Sequence, residues 1–245
     1  MKNITTFDLN LLAPFDKIWC LVSGGIDSTY LAELISERYP EKTYFVNCYN
    51  PYEQSKTLRQ FKTDYRYMES RPVSQLNYKQ ILEDSFRKIP QAIADRKAGK
   101  YSKKIFRCCA QIKHKEFKRE EIYKSPNSVV ISGIKSGDGQ QRMAFLHGLA
   151  QAVVTSKGMT KPDQPTFFYR HKEGQLYCYP FRDYRQRELP RQIITQLRHK
   201  YPQLDHSGCS ICPVLVVFQD KFTEPGRTAN SLKYYHKLIG QKTLI

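Results

Sequence analysis

Apolar and polar positions in the first fifty residues follow two different periods. A short apolar run at 17–22 predicts a buried strand, a helical pattern covers about 27–38, and a second apolar run at 43–48 predicts the next strand. A helix between two strands provides the long crossover that parallel pairing needs. We therefore expect an α/β fold, with a parallel twisted sheet that carries helices on both faces.

The rest of the chain continues this mixture. The patterns predict strands at 128–134, 166–170 and 175–180, the last two as a hairpin, a loop at 70–73, and helices at about 52–66, 78–88, 91–98, 106–123, 140–154, 188–200 and 229–239. Pro90 is expected to interrupt the third helical pattern. Because no repeat or low-complexity linker is visible, we expect one main domain over 1–215, with a helical tail at 216–245 packed on it.

Between the first strand and the first helix lies the hexapeptide SGGIDS, residues 23–28. Two glycines let the backbone approach an anion, two serines offer hydroxyl donors, and the following helix directs its free N–H groups at the same point. This pattern predicts a phosphate site made by Ser23, Gly24, Gly25, Asp27 and Ser28. The alternative is a glycine-rich turn without a ligand.

A Walker A loop places Lys and then Ser or Thr directly after its last glycine. Here Asp27 follows Gly25 by one residue, and the Gly99-Lys100 pair runs into Tyr101. Transfer of the γ-phosphate of ATP is therefore poorly supported. The hexapeptide instead resembles the PP-loop, SGGxDS, of the adenine nucleotide α-hydrolase group, which includes N-type ATP pyrophosphatases, sulfonucleotide reductases and RNA-thiolating enzymes. That resemblance implies ATP, cut or held at its α-phosphate, with Mg²⁺ on the departing pyrophosphate near Asp27.

The seven cysteines fall into two groups. Cys20, Cys48 and Cys178 lie in strand-like runs and are expected to be small buried hydrophobes. The adjacent pair Cys108-Cys109 and the later Cys209-Ser-Ile-Cys212 supply four thiols toward the C-terminal part. Four thiolates suit a 4Fe–4S cluster or structural zinc. Because zinc sites commonly use two CxxC knuckles, the adjacent pair favours iron–sulfur, with zinc as the alternative.

The cysteine pattern extends the resemblance. Cys-Cys followed after a long gap by Gly-Cys-x-x-Cys-Pro is similar to the cluster motif of the phosphoadenosine phosphosulfate reductase family. The segment from Gly133 to Arg142 is similar to that family's GIRxxE…R, with Lys135 in place of Arg and Asp138 in place of Glu. The resemblance implies that Lys135 and Arg142 neutralise charge near the α-phosphate beside catalytic Asp27. Ordinary surface charge is their alternative, and we interpret Asp138, between two glycines, as a turn residue.

The tail bears on which family member the chain resembles. Sulfonucleotide reductases attack sulfur with a cysteine beyond the cluster motif, whereas this chain has no cysteine after Cys212. A PP-loop, a cluster and a basic surface together resemble the ATP pyrophosphatases of DNA phosphorothioation systems, the Dnd and Ssp types. The implied chemistry is transfer of AMP to an oxygen, with release of pyrophosphate, after which sulfur displaces AMP. The family also implies that the turn at 49–52 receives the adenine or ribose.

Charge indicates the partners. Forty Lys and Arg against 23 Asp and Glu give a net charge of +17, which favours nucleic acid. The densest basic segment, 96–119, is interleaved with Tyr101, Phe106 and Phe117, which would stack on bases or face the core. The resemblance favours DNA over RNA, and RNA thiolation stays open because basic patches alone do not distinguish the two. The resemblance adds a cysteine desulfurase as sulfur source and other modification-system subunits, and it leaves a homodimer open.

Two further hypotheses remain beside an enzyme of nucleic-acid sulfur modification. One is a sulfonucleotide reductase that uses an external thiol. The other is a nucleotide-sensing DNA-binding module without turnover, in which the cluster is structural or senses redox state. No secretory signal and no apolar run long enough for a bilayer are visible, so we expect a cytoplasmic location and no membrane partner.

Overall fold

A computed structural model of the protein describes residues 1–52, 55–70, 77–101, 105–106, 108, 111, 125–138, 142–147, 167–170, 175–204, 209–220 and 225–240. The chain forms two compact units. The first, here the sheet unit, comprises Met1–Asn47, Ser55–Glu69 and Glu120–Ser207. The second, here the cysteine unit, comprises Cys48–Gln54, Ser70–Arg119 and Gly208–Ile245.

Six strands form one sheet. They are β1 (Lys17–Leu21), β2 (Thr43–Cys48), β3 (Tyr67–Ser70), β4 (Ser128–Ile131), β5 (Phe168–Arg170) and β6 (Leu176–Cys178), in the spatial order β3-β2-β1-β4-β6-β5. β1 pairs in parallel with β2 and β4, and β4 pairs in parallel with β6. β5 pairs antiparallel with β6 as the predicted hairpin. The predicted α/β class with a mostly parallel sheet is confirmed.

Helices occur in both units. The sheet unit holds α1 (Ile26–Arg38), α2 (Lys56–Phe61), α5 (142–147) and α6 (Arg191–Lys200), together with 3-10 turns at Leu9–Leu12 and Ser136–Asp138. The cysteine unit holds α3 (Tyr78–Phe86), α4 (Ile89–Lys97), α7 (Pro213–Val217) and α8 (Pro225–Gly240). Within the described ranges, no helix is long and apolar enough to cross a membrane.

The central strands are mostly apolar because both of their faces are covered. Ile18, Trp19 and Cys20 of β1 are all buried, as is every residue of β4. α1 buries eight consecutive residues from Ser28 to Ile35, so the helix that follows the glycine loop is anchored in the core. Burial also raises the pKa of the Cys178 thiol well above its ordinary value, in line with the predicted structural role of this cysteine.

The cysteine unit has its own core. α3 begins at Asn77, whose side chain accepts a hydrogen bond from the Gln80 N–H, and it buries Leu82 and Phe86. Pro90 lies in the first turn of α4, where its missing N–H costs nothing, so it begins this helix rather than interrupting one. Val216 of α7 completes the same apolar cluster.

One predicted helix differs from the structure, and two elements were missed. The helix predicted over 52–66 is limited to α2, and β3 follows it at the edge of the sheet, where polar residues conceal the strand pattern. Arg66, before β3, pairs with Asp64 at 2.7 Å and lies over the Phe45 ring. α7 was not predicted. The helix predicted over 106–123 lies almost wholly outside the described residues, as does most of the one at 140–154.

Candidate functional site

The loop between β1 and α1 requires glycine at one position for two independent reasons. Gly24 has φ of 74°, in the left-handed region, and a Cβ on it would overlap the Ser55 side chain at the start of α2. Gly25 is the N-cap of α1 and provides no side-chain acceptor for the first turn. The N–H groups of that turn therefore remain available to an anion, as the sequence predicts for a phosphate loop.

The two serines brace this loop from within. The Ser28 hydroxyl accepts from the Ser23 N–H and donates to the Gly25 carbonyl oxygen, both at 3.1 Å. The Ser23 and Ser28 hydroxyl oxygens also lie 3.1 Å apart. Ser28 thus shapes the loop, and the Ser23 hydroxyl is the more accessible of the two because Ser28 is buried.

Asp27, in the first turn of α1, is held by a buried lysine. Lys135 Nζ donates to Asp27 Oδ2 at 2.7 Å and to the Arg187 carbonyl oxygen at 2.6 Å, and the Lys135 side chain is 3% exposed. Burial raises the pKa of Asp27 above its ordinary value, against the opposing effect of the Lys135 hydrogen bond and charge. The sequence predicted these two residues in one site, and the structure brings them into contact.

Asp138 extends this pair into a chain of alternating charges. Its Oδ1 lies 3.5 Å from Lys135 Nζ, and its Oδ2 lies 3.2 Å from Arg142, whose side chain is 53% exposed. Asp138 lies in a 3-10 turn, as we interpreted it, and its carboxylate also joins two cations. Its spacing of three residues from Lys135 and four from Arg142 was the available signal.

Two glycines fix the segment that carries Lys135. A Cβ on Gly133 would lie 3.2 Å from the Ser28 backbone, so β4 leads directly past the start of α1. A Cβ on Gly137 would overlap the Gln186 carbonyl group, and the Gly137 N–H donates to the Tyr184 carbonyl oxygen at 3.0 Å. The chain after β6 therefore belongs to this site.

Tyr184 adds a phenol close to the carboxylate. Burial and, to a smaller extent, the negative charge of Asp27 raise the pKa of Tyr184. Its hydroxyl donates to the Glu188 carbonyl oxygen at 3.0 Å. The phenol therefore stays neutral at physiological pH and helps to hold the chain on that side of Asp27.

The cysteine unit holds Cys209 and Cys212 in a tightly bonded knuckle. The Cys212 N–H donates to Ser231 Oγ at 2.9 Å, and this fully buried hydroxyl donates to the Arg227 carbonyl oxygen at 2.7 Å. Arg227 Nε donates to the Cys209 carbonyl oxygen at 3.0 Å. α8, which carries both Ser231 and Arg227, thus fixes the backbone at both cysteines.

The turn at 49–52 holds the other side of the knuckle. Asn50 Nδ2 donates to Cys209 Sγ at 3.0 Å, while Asn50 Oδ1 accepts from the Tyr52 N–H at 3.0 Å. The Ser210 N–H donates to the Tyr52 carbonyl oxygen at 2.7 Å. The Asn50 side chain is therefore engaged with the knuckle. Binding of adenine or ribose at this turn stays a prediction.

The thiols of the cysteine unit suit a soft metal centre, but a site made of all four cysteines stays a prediction. Cys108 is 8% exposed in the core of the same unit, and Cys109 lies outside the described residues. Among the residues that the structure describes, no three His, Cys, Asp or Glu side chains are close enough to share a metal ion. An amide donor on a sulfur, as at Cys209, is the kind of second contact that favours a thiolate ligand.

Aromatic residues of the predicted basic segment face the protein interior. Phe106 is buried and Tyr101 packs against the same cluster, where burial and the nearby Cys212 raise the pKa of Tyr101 to about 12. Arg96 binds Asp220 through two hydrogen bonds, of 2.6 and 2.7 Å. Phe106 and Tyr101 pack in the core and Arg96 pairs with Asp220, so base stacking by Tyr101 or Phe106 is not supported. Phe117 lies outside the described residues.

Comparison with known proteins yields only weak structural similarity. No protein-family model matches the chain, and no curated protein matches it. Among solved structures, U34-tRNA thiolase NcsA from Methanococcus maripaludis with its 4Fe–4S cluster aligns with 96% of this chain and 76% of its own, at 16% identity and a TM-score of 0.44.

Proposed function

We propose that the protein is an ATP pyrophosphatase that activates an oxygen of nucleic acid for replacement by sulfur. The observation that carries this proposal is the SGGIDS loop, in which Gly24 is required by backbone conformation and by packing, and Asp27 is fixed by buried Lys135. A glycine turn without a ligand needs neither a half-buried carboxylate beside the helix N-terminus nor a buried cation to orient it.

The geometry supports distinct roles for the site residues. Backbone N–H groups at Gly25 and the first turn of α1, with the Ser23 hydroxyl, would bind the β- and γ-phosphates. Lys135 directs its donors at Asp27, Arg187 and Asp138, so we assign it the positioning of Asp27 rather than direct contact with phosphate. Of the two cations in this row of alternating charges, Arg142 has the exposed side chain, so it is the better candidate to contact the α-phosphate.

The reaction then follows from attack at the α-phosphorus. An oxygen of the nucleic acid forms a bond to that phosphorus, the bond to the bridging oxygen breaks, and pyrophosphate leaves with the electron pair. A bound Mg²⁺ would neutralise charge on pyrophosphate, with Asp27 as its carboxylate ligand. A sulfur nucleophile next attacks the atom that bore the oxygen, and AMP departs with that oxygen. Cys108, Cys109, Cys209 and Cys212 would hold the cluster of this enzyme.

The acceptor has two candidates. A DNA phosphate oxygen is the acceptor in the phosphorothioation systems that the sequence resembles. The other candidate is a base oxygen of tRNA; the name of the solved thiolase gives U34-tRNA for that protein. Digestion of DNA and tRNA after reaction, followed by mass spectrometry of the nucleosides and dinucleotides, separates a phosphorothioate from a thiolated base.

Product analysis tests the proposal. Anaerobically purified protein, given ATP, nucleic acid and a sulfur source, is expected to release AMP and pyrophosphate. Asp27→Asn should abolish this release, while the matched change Asp16→Asn, at an exposed carboxylate before β1, should leave it unchanged. ADP and phosphate as sole products would overturn the proposal. Sulfite release from a phosphosulfate substrate would instead support the reductase, and nucleic-acid binding without any turnover would support the sensing module.

A further inference from the structure

The chain between β6 and α6 has a fixed position beside Asp27. The Arg187 carbonyl oxygen and the Asp27 carboxylate both accept hydrogen bonds from the ammonium group of Lys135, at 2.6 and 2.7 Å. Gly137 packs so closely on the Gln186 carbonyl group that no side chain fits there. The backbone at 185–187 is therefore attached to the same buried cation that orients the carboxylate.

Two arginine side chains leave this backbone toward solvent. Arg185 and Arg187 are both exposed, and neither guanidinium pairs with a carboxylate among the residues that the structure describes. Arg191, in the first turn of α6, is also exposed. The acidic residues of this stretch are Asp183, which is half-buried, and Glu188, so the segment keeps a positive balance.

Exposed arginines on a fixed backbone have a clear chemical preference. Each guanidinium presents a planar set of N–H donors that matches two oxygens of a phosphate, and the backbone that carries it is already held, so no backbone entropy is lost on binding. Neither of these side chains contributes to the packing of the core. The backbone that carries them shares Lys135 with Asp27, so this segment lies beside the loop that would hold ATP.

We propose that Arg185 and Arg187 form a rim that binds phosphodiester groups of the nucleic-acid strand presented to the nucleotide loop. This inference rests on the proposed function, and it assigns strand binding to residues outside the basic segment at 96–119. The arginines act through charge and bidentate hydrogen bonds to the backbone of the strand, so they position the acceptor without reading its sequence.

A salt titration of strand binding tests the rim. Fluorescence anisotropy would measure the Kd of labelled single-stranded DNA and RNA of matched sequence for wild type, R185Q/R187Q and R185K/R187K. The matched control is R38Q/R198Q, because Arg38 and Arg198 are exposed arginines of the same unit near the C-terminal ends of α1 and α6. Calorimetric titration with ATP would be run on every variant.

The R185Q/R187Q variant is expected to bind the strand about tenfold more weakly than wild type, and the slope of log K against log salt should fall by about 1.4, or 0.7 for each lost phosphate contact. The lysine variant should keep most of that slope, and the R38Q/R198Q control and all ATP affinities should stay at wild-type values. An unchanged slope in R185Q/R187Q, or a loss of ATP affinity with strand binding intact, would overturn the inference.

Failure of the rim and failure of the proposed function give different results. If wild type forms AMP and R185Q/R187Q binds the strand normally, the rim alone is refuted. If the slope falls in R185Q/R187Q while no variant forms AMP from ATP, the rim stands and the pyrophosphatase assignment is refuted.

Discussion

Removal of the Lys135 ammonium group should destabilise the sheet unit in a pH-dependent manner. In Lys135→Met, Asp27 loses its hydrogen-bonded partner, and Asp138 faces it without an intervening cation. Loss of one member of a buried ion pair typically costs about 3–5 kcal/mol. Because the Asp27 side chain is 29% exposed, water solvates part of its charge and lowers this cost. We therefore expect the free energy of unfolding to fall by about 2–3 kcal/mol at neutral pH. For a chain of this size that corresponds to a fall in Tm of roughly 4–12 °C.

The sign of the pH effect follows from the raised pKa of Asp27. Burial already makes the folded state favour the protonated acid, so stability falls as pH rises through the window above the ordinary carboxyl pKa. Lys135 opposes that effect, and its removal raises the pKa of Asp27 further. The stability deficit of Lys135→Met should therefore be smaller near pH 4 than near pH 7.

Thermal unfolding followed by circular dichroism at both pH values is the assay. Asp27→Asn added to Lys135→Met should recover part of the lost Tm, since the amide carries no charge to desolvate. Lys79→Met, at a lysine with a 79% exposed side chain, is the control and should change the free energy of unfolding by less than about 0.5 kcal/mol. The reasoning is refuted if Lys135→Met unfolds at the wild-type Tm, or if Asp27→Asn brings no recovery.

Four further predictions concern the loop and the cysteine unit. Gly24→Ala should reduce ATP affinity by more than about tenfold in calorimetric titration, and adding Ser55→Gly should restore it only in part, because the positive φ still costs about 1–2 kcal/mol; full recovery would show that packing alone requires the glycine. Ser231→Ala leaves the Cys212 N–H without its acceptor and should cost about 1–3 kcal/mol in thermal unfolding, with an unchanged Tm as the contrary result. Asn50→Leu removes the donor to Cys209 Sγ and should change the rate of thiol alkylation at Cys209, read by peptide mass spectrometry; an unchanged rate would indicate that this hydrogen bond does not control the thiol. Protein purified without oxygen should be brown, and Cys108→Ser should bleach it, whereas a colourless, zinc-loaded protein would contradict the cluster.

The sequence was a good guide to the central fold because its signals are local. The apolar runs of β1, β2 and β4 could be predicted because strands covered on both faces need no polar alternation. The edge strand β3 could not be predicted, because an edge strand tolerates polar residues and shows no apolar run. Arg66, which precedes it, pairs with Asp64 and lies over the Phe45 ring. Gly24 and Gly25 predicted a tight turn whose backbone conformation the structure confirms.

The internal arrangement of the site was less accessible from sequence. Only the family resemblance placed Lys135 near the loop. Nothing in the sequence indicated that its ammonium group is buried against Asp27 and the Arg187 carbonyl oxygen. Such contacts depend on chain segments more than fifty residues apart. The Asn50 contact with Cys209, across 159 positions, has the same origin.

Cleavage of ATP labelled at defined phosphates tests the central claim most directly. With nucleic acid and a sulfur source present and oxygen excluded, label at the α-phosphate should appear in AMP, and label at the γ-phosphate should appear in pyrophosphate. Asp27→Asn should abolish both signals while Asp16→Asn retains them. Label at the α-phosphate that appears in ADP, with γ-label in free phosphate, would contradict the account.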